Sequence, residues 1–364
     1  MKKKILILVG TRPNFIKITR FKDVFPEDSF EIKIVHTGQH FDSNMADIFF
    51  KELNIYPDYF LNINPASPNT QIAEIISKME ELINKEFYPD LIIVPGDVNS
   101  TLAGAITANK MGIKLAHLEA GLRSFDRTMP EEINRIIVDE ISDYCFVTEP
   151  SGLKNLKLEN KTSTIFNVGN TMIDTIVKFS SEIDKSNIVT RLNIIDPYVL
   201  ITIHRPANVD NEEGLLKIIE LLNYLSLKYN IVFPIHPRTL NKLKDLNLFA
   251  EFSKIKGLVL TDPLGYFDFQ KLIKSSQFVL TDSGGIQEET TFYQKPCLTL
   301  RKNTERPITC EIGTNKLVDF DVDKLKHEIQ LISTGEFKKG KIPEYWDGFA
   351  TERIYDAIKE RILN

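Results

Sequence analysis

Residues 280–289 read LTDSGGIQEE. The stretch leaves an apolar run, turns at Ser283, Gly284 and Gly285, and enters a segment carrying Glu288 and Glu289. A strand that becomes a helix through a glycine pair presents free backbone N–H groups at the positive end of the helix dipole, which makes an anion site. A tight turn that simply needs glycine would use the same letters. The downstream acid separates the two readings. Donors at Ser283, Gly284 and Gly285 suit a diphosphate, and Glu289, one helical turn in, can accept from ribose hydroxyls. A nucleotide diphosphate uses both features.

The same strand-to-helix pattern repeats along the chain. Short apolar runs, KILILV, EIKIVH, LIIVPGD, KLAHLE, YCFVTE and STIFNVG, alternate with helix-period segments through the first half. YVLITIH, NIVFPIH, GLVLTD, QFVLTD and PCLTL continue the alternation in the second half. This is the pattern of two parallel, doubly wound α/β domains. In TQIAEIISKMEELINKE, Ile72, Ile75, Ile76, Met79 and Leu82 share one face, as in a helix covering a sheet. The polar stretch 178–197, ending in Asp-Pro, reads as a linker. The expected division is 1–177 and 178–347, and the closing segment 348–364 has helical period.

Composition narrows the ligand. The 364 residues carry a formal charge of -5 with lysines and acids interspersed, so neither a nucleic-acid surface nor a polybasic membrane anchor is expected. The apolar run Ile5 to Val9 is too short for a signal-peptide core or a membrane span. Cys145, Cys297 and Cys310 form no CxxC pair, so no zinc or disulfide framework is expected. These features suggest a reduced, cytoplasmic protein with a small-molecule ligand.

Several strands end in polar groups, and ligands collect outside the carboxyl ends of parallel strands. Should the two sheets face each other, these residues line one cleft. GTRPNFIK (10–17) lets Arg12 and Lys17 reach a phosphate or sugar, and equally reads as a surface turn with two solvated cations. No GxGxxG is present to support NAD. Asp97, in PGDVNS, alone reads as structural. In AHLEAGLRSFDRTMPEEINR (116–135), the helix dipole accounts for Glu131 and Glu132 but not for Glu119. Carboxylates converging there, with Arg123 and Arg135 to compensate charge, suit proton transfer at carbon. His204 and His236 end successive strands, each followed by Arg205 or Arg238, and suggest anion contacts. They lack the spacing and the acid partner of a metal site.

Taken in order, GTRPNFIK, GQH, PGDVNSTLAGA, HLEAGLRS with MPEEINR, VGNTMIDT, HRPANVD, TDSGGIQEE and NTERPIT span almost the whole chain. The set resembles the non-hydrolysing UDP-N-acetylglucosamine 2-epimerases. The resemblance implies a GT-B-type α/β fold of two Rossmann-like domains around a central cleft, with the C-terminal helix (348–364) packing back on the first domain, usually homodimeric, acting without NAD, metal or other cofactor. It implies proton removal at carbon-2 of the sugar with expulsion of UDP, then reprotonation from the opposite face and readdition of UDP. It assigns Asp97, Glu119, Glu131 and His204 to catalysis. Arg12, Lys17, Arg135 and His236 are implied near sugar or phosphates, with Ser283, Gly284 and Gly285 on the diphosphate. Phe269 is implied beside the uracil, Glu289 at the ribose and Arg306 near the sugar.

Two departures bear on the substrate. Where many bacterial members read GTRPEAIK, this chain has Asn14 and Phe15, and HTGQHFDSNM (36–45) resembles relatives acting on UDP-2,3-diacetamido-glucuronates. Arg306, Glu288 and Glu289 keep the pattern of the simple N-acetylglucosamine enzymes. LNINPASPNTQ (61–71) offers no cation for the second, activating UDP-sugar of some members. A GT-B glycosyltransferase would share the UDP site yet need no paired carboxylates at carbon-2. A silent UDP-sugar sensor would have no use for them. The hydrolysing epimerases match GTRP and MPEEINR less well.

Overall fold

The computed structural model describes residues 2–38, 43–64 and 67–362. Gln39 and His40 of the GQH motif, Phe41, Asp42, Pro65 and Ala66 lie outside the described residues. The chain divides into two compact units, Met1–Lys178 with Glu344–Asn364, and Phe179–Pro343.

The first unit is built on β1 (Lys3–Val9), β2 (Phe30–His36), β3 (Tyr59–Phe60), β4 (Leu91–Pro95), β5 (Lys114–Leu118), β6 (Tyr144–Val147) and β7 (Thr164–Asn167). Their order is β3-β2-β1-β4-β5-β6-β7, and every pairing is parallel. The second unit holds β8 (Tyr198–Thr202), β9 (Asn230–Pro234), β10 (Leu258–Thr261), β11 (Phe278–Thr281), β12 (Cys297–Thr299) and β13 (Asn315–Leu317), in the order β10-β9-β8-β11-β12-β13. Both sheets reverse direction of growth beside their first strand, between β1 and β4 and between β8 and β11. Crevices open at such switch points, outside the strand carboxyl ends. All eleven runs picked from sequence are strands; the short edge strands β3 and β13 carry no comparable run.

Both faces of each sheet are covered, which is why β1 reads as continuous Ile, Leu and Val instead of alternating. The helix Pro68–Lys85 turns Ile75, Met79 and Ile83 fully inward, while Ile72, Ile76 and Leu82 flank that stripe. The stretch 178–197 is not a linker. It forms the helices Ser180–Lys185 and Ile188–Arg191, with Ile183 and Ile188 buried, and Ile188 joins Leu272 and Ile273 in a core cluster. Its apolar residues Ile183, Ile188, Val189, Leu192 and Ile194 are scattered among charged and polar ones and show no sustained period.

The chain ends in the first unit. Trp346 is buried and donates to Thr148 O at 3.2 Å, and Arg20 donates to Gly348 O at 2.9 Å. The helix Ala350–Ala357, continued by the π-helical turn Ile358–Ile362, begins on Asp174 of the VGNTMIDT motif. That carboxylate accepts from Ala350 N at 3.0 Å, Thr351 N at 2.6 Å and Thr351 Oγ1 at 2.7 Å. Burial still raises the Asp174 carboxyl above its ordinary range.

Candidate active site

In the first unit, the switch point gathers Lys17, Asp97, Glu119 and Arg135. Gly96 leaves β4 at φ +71°, where a side chain would be strained. A Cβ there would lie 3.0 Å from Lys17 Nζ, 3.3 Å from Asn14 Nδ2 and 3.6 Å from Glu119 Oε2. The bare glycine is thus the surface against which the three side chains converge. Lys17 Nζ is ion-paired with Glu119 Oε2, both side chains buried. Asp97 accepts from Arg135 Nη1 at 2.6 Å, and Arg135 Nη2 reaches Glu132 Oε2 at 2.8 Å. Arg12, on the first turn of the helix Arg12–Ile18, is partly exposed.

Three residues in this region have surroundings that the sequence did not show. Glu131 is exposed on the first turn of the helix Pro130–Ile141 and, among the described residues, has no ion-pair partner, so the fold does not tie it to Asp97 or Glu119. Its neighbour Glu132 is more than a dipole complement. It is buried and accepts from Ser124 N, Ser124 Oγ and Phe125 N, each at 2.9 Å, fixing the loop that follows Glu119. Burial works against its charge, but those donors and Arg135 hold the carboxyl below its ordinary range. Arg123, expected to balance the catalytic carboxylates, is buried and pairs with Asp139 at 2.7 Å and Glu159 at 2.7 Å instead.

In the second unit, Asp282 follows β11 and is fully buried. It accepts from His204 N at 3.0 Å, Arg205 N at 2.8 Å and Asn208 Nδ2 at 3.0 Å, and its Oδ1 lies 3.0 Å from His204 Nδ1. Burial opposes ionisation, but His204 and the backbone donors keep the carboxyl below its ordinary range. The His204 side chain stays 40% exposed, so the ring is held and still reachable. It thus has the acid partner that the sequence did not reveal, from 78 residues away. His236 lies 5.4 Å from it, centroid to centroid, with Nδ1 accepting from Arg238 N at 3.1 Å. Arg238 is engaged with Asp210 at 2.8 and 3.0 Å. Among the described residues no three His, Cys, Asp or Glu side chains are grouped to hold a metal ion.

Ser283 caps the helix Gly284–Phe292 without a side-chain cap bond. A Cβ on Gly284 would meet Glu305 Oε1 at 2.8 Å and Arg306 Nη1 at 2.9 Å, so the glycine lets the 303–306 loop lie directly on the helix start. Arg306 is buried between Glu288, at 2.7 Å, and Glu305. Thr304 Oγ1 and Asn315 Nδ2 both donate to Gln287 Oε1, at 2.7 and 3.0 Å, which fastens the same loop. Glu289 is pushed up to about 8, by burial first and by the charge of Glu288 next, with the Gln270 amide opposing. It therefore holds a proton near neutral pH and can donate as well as accept. Phe269 lies on the facing helix Tyr266–Ser275, partly buried.

A family model for UDP-N-acetylglucosamine 2-epimerase matches residues 22–359. The chain belongs to that family. A UDP-N-acetylglucosamine 2-epimerase of Methanocaldococcus jannaschii is 42% identical over 359 residues, covering 96% of this chain and 97% of that protein. A UDP-2,3-diacetamido-2,3-dideoxy-D-glucuronate 2-epimerase of Pseudomonas aeruginosa is 39% identical, covering 98% and 99%. The crystal structure of the M. jannaschii UDP-GlcNAc 2-epimerase in complex with UDP-GlcNAc and UDP superimposes with a TM-score of 0.90 at 40% identity, over 98% of this chain and 99% of that one. The α/β, GT-B-type fold class expected from the epimerase motifs is the one these relatives share. Among the described residues no helix of this family member is long and apolar enough to cross a membrane.

Proposed function

We propose that the chain is a non-hydrolysing epimerase that interconverts UDP-N-acetylglucosamine and UDP-N-acetylmannosamine. The observation that carries the reading is the pair of carboxylates at the first unit's switch point, Glu119 paired with Lys17 and Asp97 with Arg135. In the forward reaction a carboxylate takes the carbon-2 proton while the carbon-1 to oxygen bond breaks, its electron pair leaving on UDP. The resulting glycal is protonated at carbon-2 on its other face, and a UDP oxygen re-forms the bond to carbon-1. Acid and base must therefore act on opposite faces, which Asp97, Glu119 and Glu131 would share.

Expulsion of UDP requires donors that stabilise the departing diphosphate. The second unit is read as the UDP-binding domain: Ser283, Gly284 and Gly285 offer the N–H groups of an uncapped helix start, and His204 and His236 offer imidazoles. Glu289 is assigned to the ribose, Phe269 to the uracil, and Arg12 to the phosphates. Arg306, assigned to the sugar by resemblance, is read instead as shaping the helix start, because Glu288 and Glu305 already engage it. By resemblance alone, the enzyme is a cytoplasmic homodimer.

Proton NMR with UDP-N-acetylglucosamine in deuterated water, without added cofactor, tests this. Deuterium at carbon-2 accompanied by the manno epimer is the expected result; UDP binding without exchange would remove the carboxylate assignment. The Pseudomonas relative, nearly as similar as the archaeal one, supports a second reading in which the substrate is UDP-2,3-diacetamido-glucuronate. Faster exchange in that sugar would select it.

A further inference from the structure

Glu119 has a backbone that its own residue type does not favour. Its φ is +79°, in the left-handed region, where a non-glycine residue persists only when its surroundings over-determine it. We propose that buried His117, Asp139 and Arg123 form a positioning relay that imposes this conformation and so aims Glu119; the proposal rests on the epimerase reading.

The relay brackets Glu119 in sequence. Two residues before it, His117 Nδ1 lies 2.6 Å from Asp139 Oδ1 and Nε2 lies 2.8 Å from Gly96 O. Two residues after it, Gly121 N donates to Asp139 Oδ2 at 3.1 Å; four after, Arg123 Nη1 pairs with the same oxygen at 2.7 Å. One carboxylate thus holds both arms of the turn. The other end of the histidine grips the carbonyl of Gly96, whose bare face meets Lys17 and Glu119. Backbone N–H groups of Glu119 and Ala120 both donate to Phe146 O at 3.0 Å, completing the turn.

The charges fit this role. A carbonyl oxygen and a carboxylate both accept, so each ring nitrogen of His117 faces a group to which an N–H can donate. Arg123 pairs with both Asp139 and Glu159, and His117, Asp139 and Arg123 are almost wholly removed from solvent. Burial alone would raise the Asp139 carboxyl, yet His117 and Arg123 hold it below its ordinary range. Among the described residues, the three bond to one another, to Glu159 and to the backbone of Gly96, Gly121 and Leu122, so the relay acts through the backbone.

The test compares wild type, His117→Phe, His117→Gln and Asp139→Asn for deuterium exchange at carbon-2, KM, UDP affinity by calorimetry and Tm. Asp174→Ala, which releases the C-terminal helix, serves as a lesion of stability away from the relay. A misplacement of about 1 Å costs roughly a hundredfold in rate. His117→Phe and Asp139→Asn are therefore expected to lose about that in kcat, with KM and UDP affinity within about threefold. His117→Gln keeps a donor for Gly96 O and should recover about tenfold of the loss. Variants turning over within about threefold of an active wild type would overturn the relay alone. So would losses no larger than those of Asp174→Ala at equal Tm. A wild type that exchanges no deuterium overturns the epimerase reading and the relay with it.

Discussion

At the switch point of each sheet one side chain staples two strand ends, and the two units choose differently. In the first it is Asn14, a neutral amide. Its Oδ1 accepts from Gly10 N at 3.2 Å and Thr11 N at 3.1 Å, and its Nδ2 donates to Pro95 O at 3.1 Å. In the second it is Asp282, a buried carboxylate that receives the His204 and Arg205 N–H groups and the His204 ring. A neutral staple adds no charge, so the field at the first site is set by the pairs Lys17–Glu119 and Arg135–Asp97. A charged staple instead draws an imidazole into a fixed place. The contrast matches the two demands of the proposed reaction: carboxylates whose proton affinity is controlled at one site, and donors for a departing anion at the other.

The largest way to break this division is at Glu119. Glu119→Gln should lower carbon-2 exchange by about 10²–10⁴-fold while UDP affinity by calorimetry stays within about threefold. It also leaves Lys17 buried without its counter-charge, at about 3–5 kcal/mol. The double variant Lys17→Met/Glu119→Gln should regain stability without regaining turnover. Exchange near the wild-type rate in the single variant would take proton transfer away from the first unit's pair. The matching lesion in the second unit is Gly284→Val. Its Cβ would collide with the Glu305–Arg306 pair, so the helix start must shift and UDP affinity should fall by more than about tenfold. Unchanged affinity would remove the helix start from the nucleotide site.

A smaller effect sharpens the second unit's electrostatics. The Glu289 carboxyl keeps its proton to about pH 8 when folded and releases it near its ordinary value when unfolded. Between those values the unfolded state binds fewer protons, so stability falls as pH rises and levels off above about pH 8. Glu289→Gln should flatten that fall, by an amount on the order of a few kcal/mol, in denaturation followed from pH 5 to 8. A pH dependence identical to wild type would contradict the buried, proton-holding glutamate.

Legibility followed physical range. Eleven strands were visible because parallel strands buried on both faces read as continuous apolar runs, and the glycine turn at 284–285 was visible because it is local. Glu119 stood out because no local rule explained it. Partners brought together by topology left no trace in the chain's order: Asp282 reaches His204 across 78 residues, and Glu119 reaches Lys17 across 102. Glu132 hid behind Glu131 because a helix's first turn favours any acid, and only burial separates the anchor from its exposed neighbour. His117 counted only as one of several polar strand ends, and Asp139 gave no signal because the polar face of an amphipathic helix accommodates any acid. Asn14 and Phe15, which depart from the common epimerase motif, gain a rationale: Asn14 is the staple, and Phe15 packs 5.3 Å from His36 and 4.9 Å from Phe50.

The smallest test exchanges the staples. Asn14→Asp keeps an acceptor for Gly10 and Thr11 but cannot donate to Pro95 O, leaving two oxygens facing each other. An unsatisfied buried group of that kind costs about 1–3 kcal/mol, so Tm should fall by several degrees. The added negative charge also sits beside Lys17, across the face of Gly96, and competes with Glu119 for the ammonium. Turnover should therefore drop while UDP affinity holds. In the reciprocal Asp282→Asn, His204 loses its carboxylate, so UDP affinity should weaken and the acid limb of stability should shift. That limb exists because a carboxyl held below its ordinary range stabilises the fold above that range and loses the contribution as pH falls through the folded value. Should both exchanges alter turnover and affinity alike, the choice of a neutral staple in one unit and a charged one in the other would carry no division of labour.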